Sequence, residues 1–128
     1  MMLLLDTHLL LRAASLPNRL SAAAQEKLLD EHNEPCFSAA SIWEVTIKAS
    51  LGRPDFRVDP SLLRRGLIDN GYTELPITSS HALAVHHLPP IHRDPFDRLL
   101  VAQAESEGML LLTTDATVAR YPGPIMRV

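Results

Sequence analysis

Apolar residues in this chain come in short runs that stop at carboxylates, separated by stretches with helical spacing. MLLLD (Met2–Asp6) is an apolar run closed by an acid, which predicts a buried strand. THLLLRAAS follows with no room for a hairpin, so it reads as a helix. SLPNRLSAAAQEKLLD continues in helical form: Ser21 is placed to cap, and Leu20, Ala24, Leu28 and Leu29 keep helical spacing. EPCFS (Glu34–Ser38) reads as a second strand, and SAASIWEVTIKASLG as a helix closed by Gly52.

RPDFRVD (Arg53–Asp59) reads as a loop, and Pro60 starts a helix, PSLLRRGLIDNG, that ends at Asn70-Gly71. YTELPI is a third strand, and Pro76 within it suits a sheet edge. TSSHALAVHHL is helical up to Pro89-Pro90, and DPFDRLLVAQAESEG is the next helix. MLLLTTD is a fourth strand that again stops at an acid, Asp115, and PIMRV reads as a last strand. Strands alternate with helices throughout. The expectation is therefore one α/β domain over residues 1–128, with a mostly parallel sheet of four to five strands and helices on both faces.

In open parallel sheets, ligands bind beyond the carboxyl ends of the strands. Asp6 and Asp115 lie just past the first and fourth strands. Glu44 falls within the first two turns of the helix after the second strand, and Asp97 in the first turn of the helix after HRD. All four can reach the same sheet edge, although no two are sequence neighbours. Each also has a plain structural role. Asp6 and Asp115 can cap the turns that follow them, and Glu44 can pair with Lys48 four residues on.

HRDPFDRLLVAQA (His92–Ala104) carries the densest charge. Pro95 suits the first position of a helix, which makes Asp94 the N-cap. Asp97 is short for the reach back to the cap, so its better use is to project toward the strand ends. Capping and ligand binding would then fall to different aspartates of one stretch.

Composition narrows the field further. The chain has 128 residues, 46% of them hydrophobic, enough to build an ordinary core. Cys36 is the single cysteine, which excludes an internal disulfide framework and a zinc site of several cysteines. The MMLLLD start is too short for a signal peptide, and no apolar run approaches the roughly 20 residues of a membrane span. A cytoplasmic protein without membrane contact is expected. Net charge is −3, which argues against a simple basic clamp on nucleic acid. Without Asp6, Glu44, Asp94, Asp97 and Asp115, however, ten acids stand against twelve basic residues.

The segments LLLDTHLLL, SAASIWEVTIKASLGR, HRDPFDRLLVAQA and LLLTTDATVARYP, in that order, resemble PIN-domain ribonucleases of the VapC type, the toxins of bacterial toxin–antitoxin pairs. The resemblance spans essentially the whole chain, and DPFDRLLVAQA and the surroundings of Trp43-Glu44 are its most specific parts. It implies an acidic quartet of Asp6, Glu44, Asp97 and Asp115, Mg²⁺ or Mn²⁺ as cofactor, and RNA cleavage. Asp6 and Asp97 would ligate the metal directly, and Glu44 and Asp115 directly or through water. Asp94 stays open between ligand and cap. The resemblance also implies a VapB-type antitoxin as partner and a homodimer.

Chemistry supports such a quartet. Carboxylates alone repel both an RNA phosphodiester and hydroxide, and a hard divalent cation reverses the sign of the site. Arg93 and Arg98 flank the acids in sequence and are the preferred contacts to the RNA backbone. His8 and His92 read as satisfied or exposed histidines. Two alternatives remain: a non-catalytic binding module on the same fold, and another α/β metal-dependent phosphoryl hydrolase. A haloacid-dehalogenase-type site would want an acid two residues after Asp6, where His8 stands.

Overall fold

A computed structural model describes residues 1–128. Five strands are present: β1 (Met2–Leu5), β2 (Glu34–Ser38), β3 (Thr73–Leu75), β4 (Leu110–Thr113) and β5 (Ile125–Arg127). They form one sheet in the order β3-β2-β1-β4-β5, and every pairing is parallel. The helices are α1 (Thr7–Ser15), α2 (Ala22–Leu29), α3 (Ala39–Ser50), α4 (Pro60–Asp69), α5 (Ser79–Val85) and α6 (Pro95–Glu107).

The leucine runs explain the layering. In a strand, successive side chains face opposite sides. Leu3 and Leu5 join Phe37 and Leu112 in a core with Leu9 and Leu10 of α1, Val45 of α3, and Leu63 and Leu67 of α4. Leu4, Cys36 and Leu111 face the other way, onto Leu100, Val101 and Ala104 of α6. Leu3, Leu4 and Leu5 are all fully buried. Each contributes on the order of 1.5–3 kcal/mol of burial, so β1 is held from both faces. This is the three-layered α/β arrangement expected from the pattern.

Most boundaries follow local chemistry. Ser21, Ser38, Asp59, Thr78 and Asp94 cap the helices that follow them. Gly108 ends α6 in the left-handed region at φ 65°, which costs glycine little. One expectation is corrected. The stretch after α1 is not a continuing helix: Pro17–Arg19 form a single 3₁₀ turn, and α2 starts afresh at Ala22. Pro17 has no N–H to continue α1, and the Ser21 hydroxyl oxygen accepts the Ala24 N–H to cap a new helix. β3 is an edge strand, and it ends before Pro76.

The connections place the functional edge. From β1 the chain moves outward to β2 and β3, then returns by α5 and α6 to β4 on the other side of β1. The reversal between β1 and β4 opens a crevice at their carboxyl ends. Asp6 follows β1 directly, and its backbone N–H still donates to Leu112 O at 3.0 Å. No helix is long and apolar enough to cross a membrane.

Candidate metal centre

Asp6 does two jobs at the crevice. Its Oδ1 accepts the Leu9 N–H at 2.9 Å and so caps α1. Its Oδ2 accepts the Thr113 hydroxyl from the neighbouring strand. The Thr113 oxygen in turn accepts the Asp115 N–H at 3.0 Å. One hydroxyl thus ties the ends of β1 and β4 together. Asp115 Oδ1 accepts the N–H groups of Thr117 (2.7 Å) and Val118 (3.4 Å), closing the turn after β4. Its Oδ2 is left to face the crevice.

Asp94 and Asp97 divide their roles as the HRDPFD stretch suggests. Asp94 Oδ1 accepts from Phe96 N at 2.8 Å and from Asp97 N at 3.3 Å, which is a helix cap. Asp97 turns inward: its Oδ2 lies 3.2 Å from His92 Nε2, and Asp115 Oδ2 lies 3.5 Å from the same nitrogen. Ligand atoms of His92, Asp97 and Asp115 all fall within 4.8 Å of one another. Asp94 is not one of these three.

Glu44 enters from α3, with a side chain only 8% exposed. Its Oε2 pairs with Lys48 Nζ at 3.1 Å, so the sequence expectation of a helix-surface pair is half right. The pair forms, but the carboxylate is buried. Glu44 Oε1 is buried with no hydrogen-bond partner at all. A buried carboxylate oxygen without a partner is costly, and it fits a group of donors that expects a cation.

The electrostatics agree. Burial pushes the Asp97 carboxyl up to about 7, with further upward contributions from the charges of Asp94, Glu44 and Asp6 and a downward one from His92. Burial also raises Asp6, against the lowering effect of its bonds from Thr113 and Leu9. Asp115 behaves differently. Burial pushes it up, but the bonds from Thr117, Val118 and His92 outweigh that and leave it below the usual range. Desolvation, more than mutual repulsion, therefore sets Asp97.

Asp97 and Asp115 thus meet at His92, and the charges of Glu44 and Asp6 act on Asp97. Oxygen donors in this number suit a hard divalent cation, with Asp97, Asp115, Asp6 and the unpartnered Glu44 oxygen as the residues that would hold it.

Two expectations change. Arg98 does not face a ligand: its guanidinium donates to Pro89 O (3.0 Å), Tyr121 Oη (3.0 Å) and Val85 O (3.2 Å). Its donors hold the segment before α6 in place, and only Arg93 of the expected pair is exposed. His92, read from sequence as a bystander, sits between Asp97 and Asp115. Its position directly before RDPFD was the one available signal.

A family model described as the PIN domain matches residues 3–124. No curated protein matches the sequence. Among solved structures, the fold is similar to a chain of VapBC2 from Rickettsia felis bound to a DNA fragment from the promoter, with a TM-score of 0.73 at 15% identity, covering 99% of this chain and 98% of that one. DNA-bound VapBC from Salmonella typhimurium gives a TM-score of 0.68 at 16% identity, covering 99% and 98%. VapBC-1 from nontypeable Haemophilus influenzae gives 0.60 at 17% identity, covering 94% and 91%.

Proposed function

The chain belongs to the PIN-domain family, and from that premise we propose that it is a metal-dependent endoribonuclease, the VapC-type toxin of a toxin–antitoxin pair. The observation that carries the reading is the grouping of Asp97, Asp115 and His92 at the strand-end crevice, with the charges of Glu44 and Asp6 acting on Asp97 and one Glu44 oxygen buried without a partner. A purely structural role leaves the Glu44 oxygen unexplained, since burying a carboxylate oxygen without a partner costs stability.

Asp6, Asp97, Asp115 and Glu44 are the residues that would hold Mg²⁺ or Mn²⁺. A cation held there would supply a water of lowered pKa and offset charge on the attacked phosphate. The chain's own groups supply the rest. Thr113 fixes the rotamer of Asp6 through its hydroxyl. The backbone N–H groups of Thr117 and Val118 fix Asp115. Lys48 neutralises one oxygen of Glu44 and leaves the other free. Arg93, exposed beside the acids, meets the RNA backbone as it enters.

The partners follow from the same reading. The solved relatives are VapBC complexes, and a toxin of this kind requires a VapB-type antitoxin that covers the crevice. A cytoplasmic protein and a homodimer are the expected setting and assembly. Incubating the purified protein with RNA in Mg²⁺, in Mn²⁺ and in EDTA tests the reading. Cleavage with metal, lost in EDTA and in Asp97→Asn, is the expected result. Binding of RNA without metal-dependent cleavage would favour the non-catalytic binding module.

A further inference from the structure

His92 is the one group at the crevice that the acidic quartet does not explain. Its Nε2 lies 3.2 Å from Asp97 Oδ2 and 3.5 Å from Asp115 Oδ2, which is where a nitrogen ligand to a shared metal would also sit. The other ring nitrogen decides between ligand and donor. His92 Nδ1 accepts the backbone N–H of Asp94 at 3.1 Å. A backbone amide can only donate, so Nδ1 must present a lone pair and the ring proton must sit on Nε2.

A histidine that ligates a metal through Nε2 needs the opposite tautomer. Its Nδ1–H then donates to a carbonyl, carboxylate or water. Here that arrangement would set N–H against N–H. The backbone on both sides of this contact is held. The His92 backbone N–H donates to Tyr121 Oη at 2.8 Å, and Arg98 holds the same hydroxyl at 3.0 Å. The Asp94 amide belongs to the cap residue of α6, itself held by bonds to Phe96 and Asp97. The unpartnered Glu44 Oε1 independently marks the crevice as a place for a cation.

We propose that His92 is a positioning residue: a hydrogen-bond donor, locked in the Nε2–H tautomer by the Asp94 amide, that aligns the Asp97 and Asp115 carboxylates and does not itself bind the metal. The assignment rests on the metal-dependent nuclease reading. Nε2 lies 3.2 Å from an oxygen of Asp97 and 3.5 Å from one of Asp115, a position from which its proton draws both carboxylates toward a common point. Each oxygen keeps a further lone pair for that cation. A metal held there would then meet oxygen donors only, the set that Mg²⁺ and Mn²⁺ accept.

Three measurements on the full chain test this. Histidine-selective ¹⁵N NMR of the metal-free protein should show His92 with its proton on Nε2, and a proton on Nδ1 alone would overturn the lock. Pulsed EPR of the Mn²⁺-loaded protein should show no directly bonded nitrogen, and loss of a strong ¹⁴N coupling on ¹⁵N-histidine labelling would make His92 a ligand. Mn²⁺ titration of variants gives the third measurement. His92→Asn keeps an acceptor near the Asp94 amide but loses the donor, and should weaken Mn²⁺ binding about 10–100-fold. His92→Gln can place an amide N–H near the Nε2 position and should recover most of that loss. His92→Asn binding as tightly as the parent would overturn the positioning role. Failure of the nuclease reading looks different: the parent itself would bind no Mn²⁺, and the assignment would fall with it.

Discussion

The Tyr121 hydroxyl pins the backbone of His92. It accepts the His92 N–H at 2.8 Å and the Arg98 guanidinium at 3.0 Å, in a residue only 3% exposed. The turn after β4 thereby fixes the entry to α6 from across the crevice. Tyr121→Phe keeps the ring in its apolar cluster but leaves two donors without their acceptor. Unpaired buried groups cost about 1–3 kcal/mol, so the variant should melt several degrees lower. It should also cleave RNA more slowly, because the His92 segment loosens. An unchanged melting curve by circular dichroism would show that the hydroxyl is not holding the segment.

Thr113 makes a second cross-strand link, from its hydroxyl to Asp6 and from the Asp115 N–H to its oxygen. Thr113→Val preserves shape and removes both bonds. A hydrogen bond to a charged group contributes about 1.5–3 kcal/mol, and a loss of that order is expected in urea denaturation. Thr113→Ser should lose much less, because the hydroxyl survives. Mg²⁺ affinity should fall in the valine variant alone, as read by calorimetric titration.

Asp94 tests the cap. Asp94→Ala should destabilise the protein by about 0.5–2 kcal/mol, while Asp94→Asn should cost a fraction of that, since both side chains cap well. Metal binding should survive in Asp94→Asn. A stable Asp94→Asn that no longer binds Mg²⁺ would make Asp94 a ligand as well as a cap.

Asp97 links pH, metal and stability. Its carboxyl is raised to about 7 in the folded protein from an ordinary 3.8. The folded state therefore holds a proton over a window in which the unfolded chain has lost it. Stability from this group is complete below the unfolded value and is lost as pH rises through the folded one. Metal-free parent should thus lose stability relative to Asp97→Asn between about pH 4 and 7. At pH 7.5 the metal-free variant should melt higher, although it cleaves no RNA. Mg²⁺ should reverse the order, stabilising the parent by about 2.7 kcal/mol at a hundred times Kd and the variant far less. Melting curves of both proteins, with EDTA and with Mg²⁺ across that pH range, check all of this at once. A parent indifferent to Mg²⁺ and more stable than the variant in EDTA would return Asp97 to a structural role.

The sequence by itself determined whatever depends on residues a few positions apart. Leu3–Leu5 stopping at Asp6, Leu110–Leu112 stopping near Asp115, Asp94-Pro95 opening a helix and Gly108 ending it are all local statements about backbone, and the structure keeps them. The parallel rule then sent the acids to one edge without any coordinates. Tertiary structure alone decided the rest. The Thr113–Asp6 bond joins residues 107 positions apart, and Arg98 meets Tyr121 across 23. No periodicity encodes such partners, so Arg98 read as an RNA contact although its guanidinium is held by Pro89, Val85 and Tyr121. His92 shows the same division. Its place before RDPFD was visible, but its role depends on which ring nitrogen faces the Asp94 amide and which faces two acids from different elements. That is set by packing around the crevice, where each polar atom must find a partner among groups the chain brings from far away.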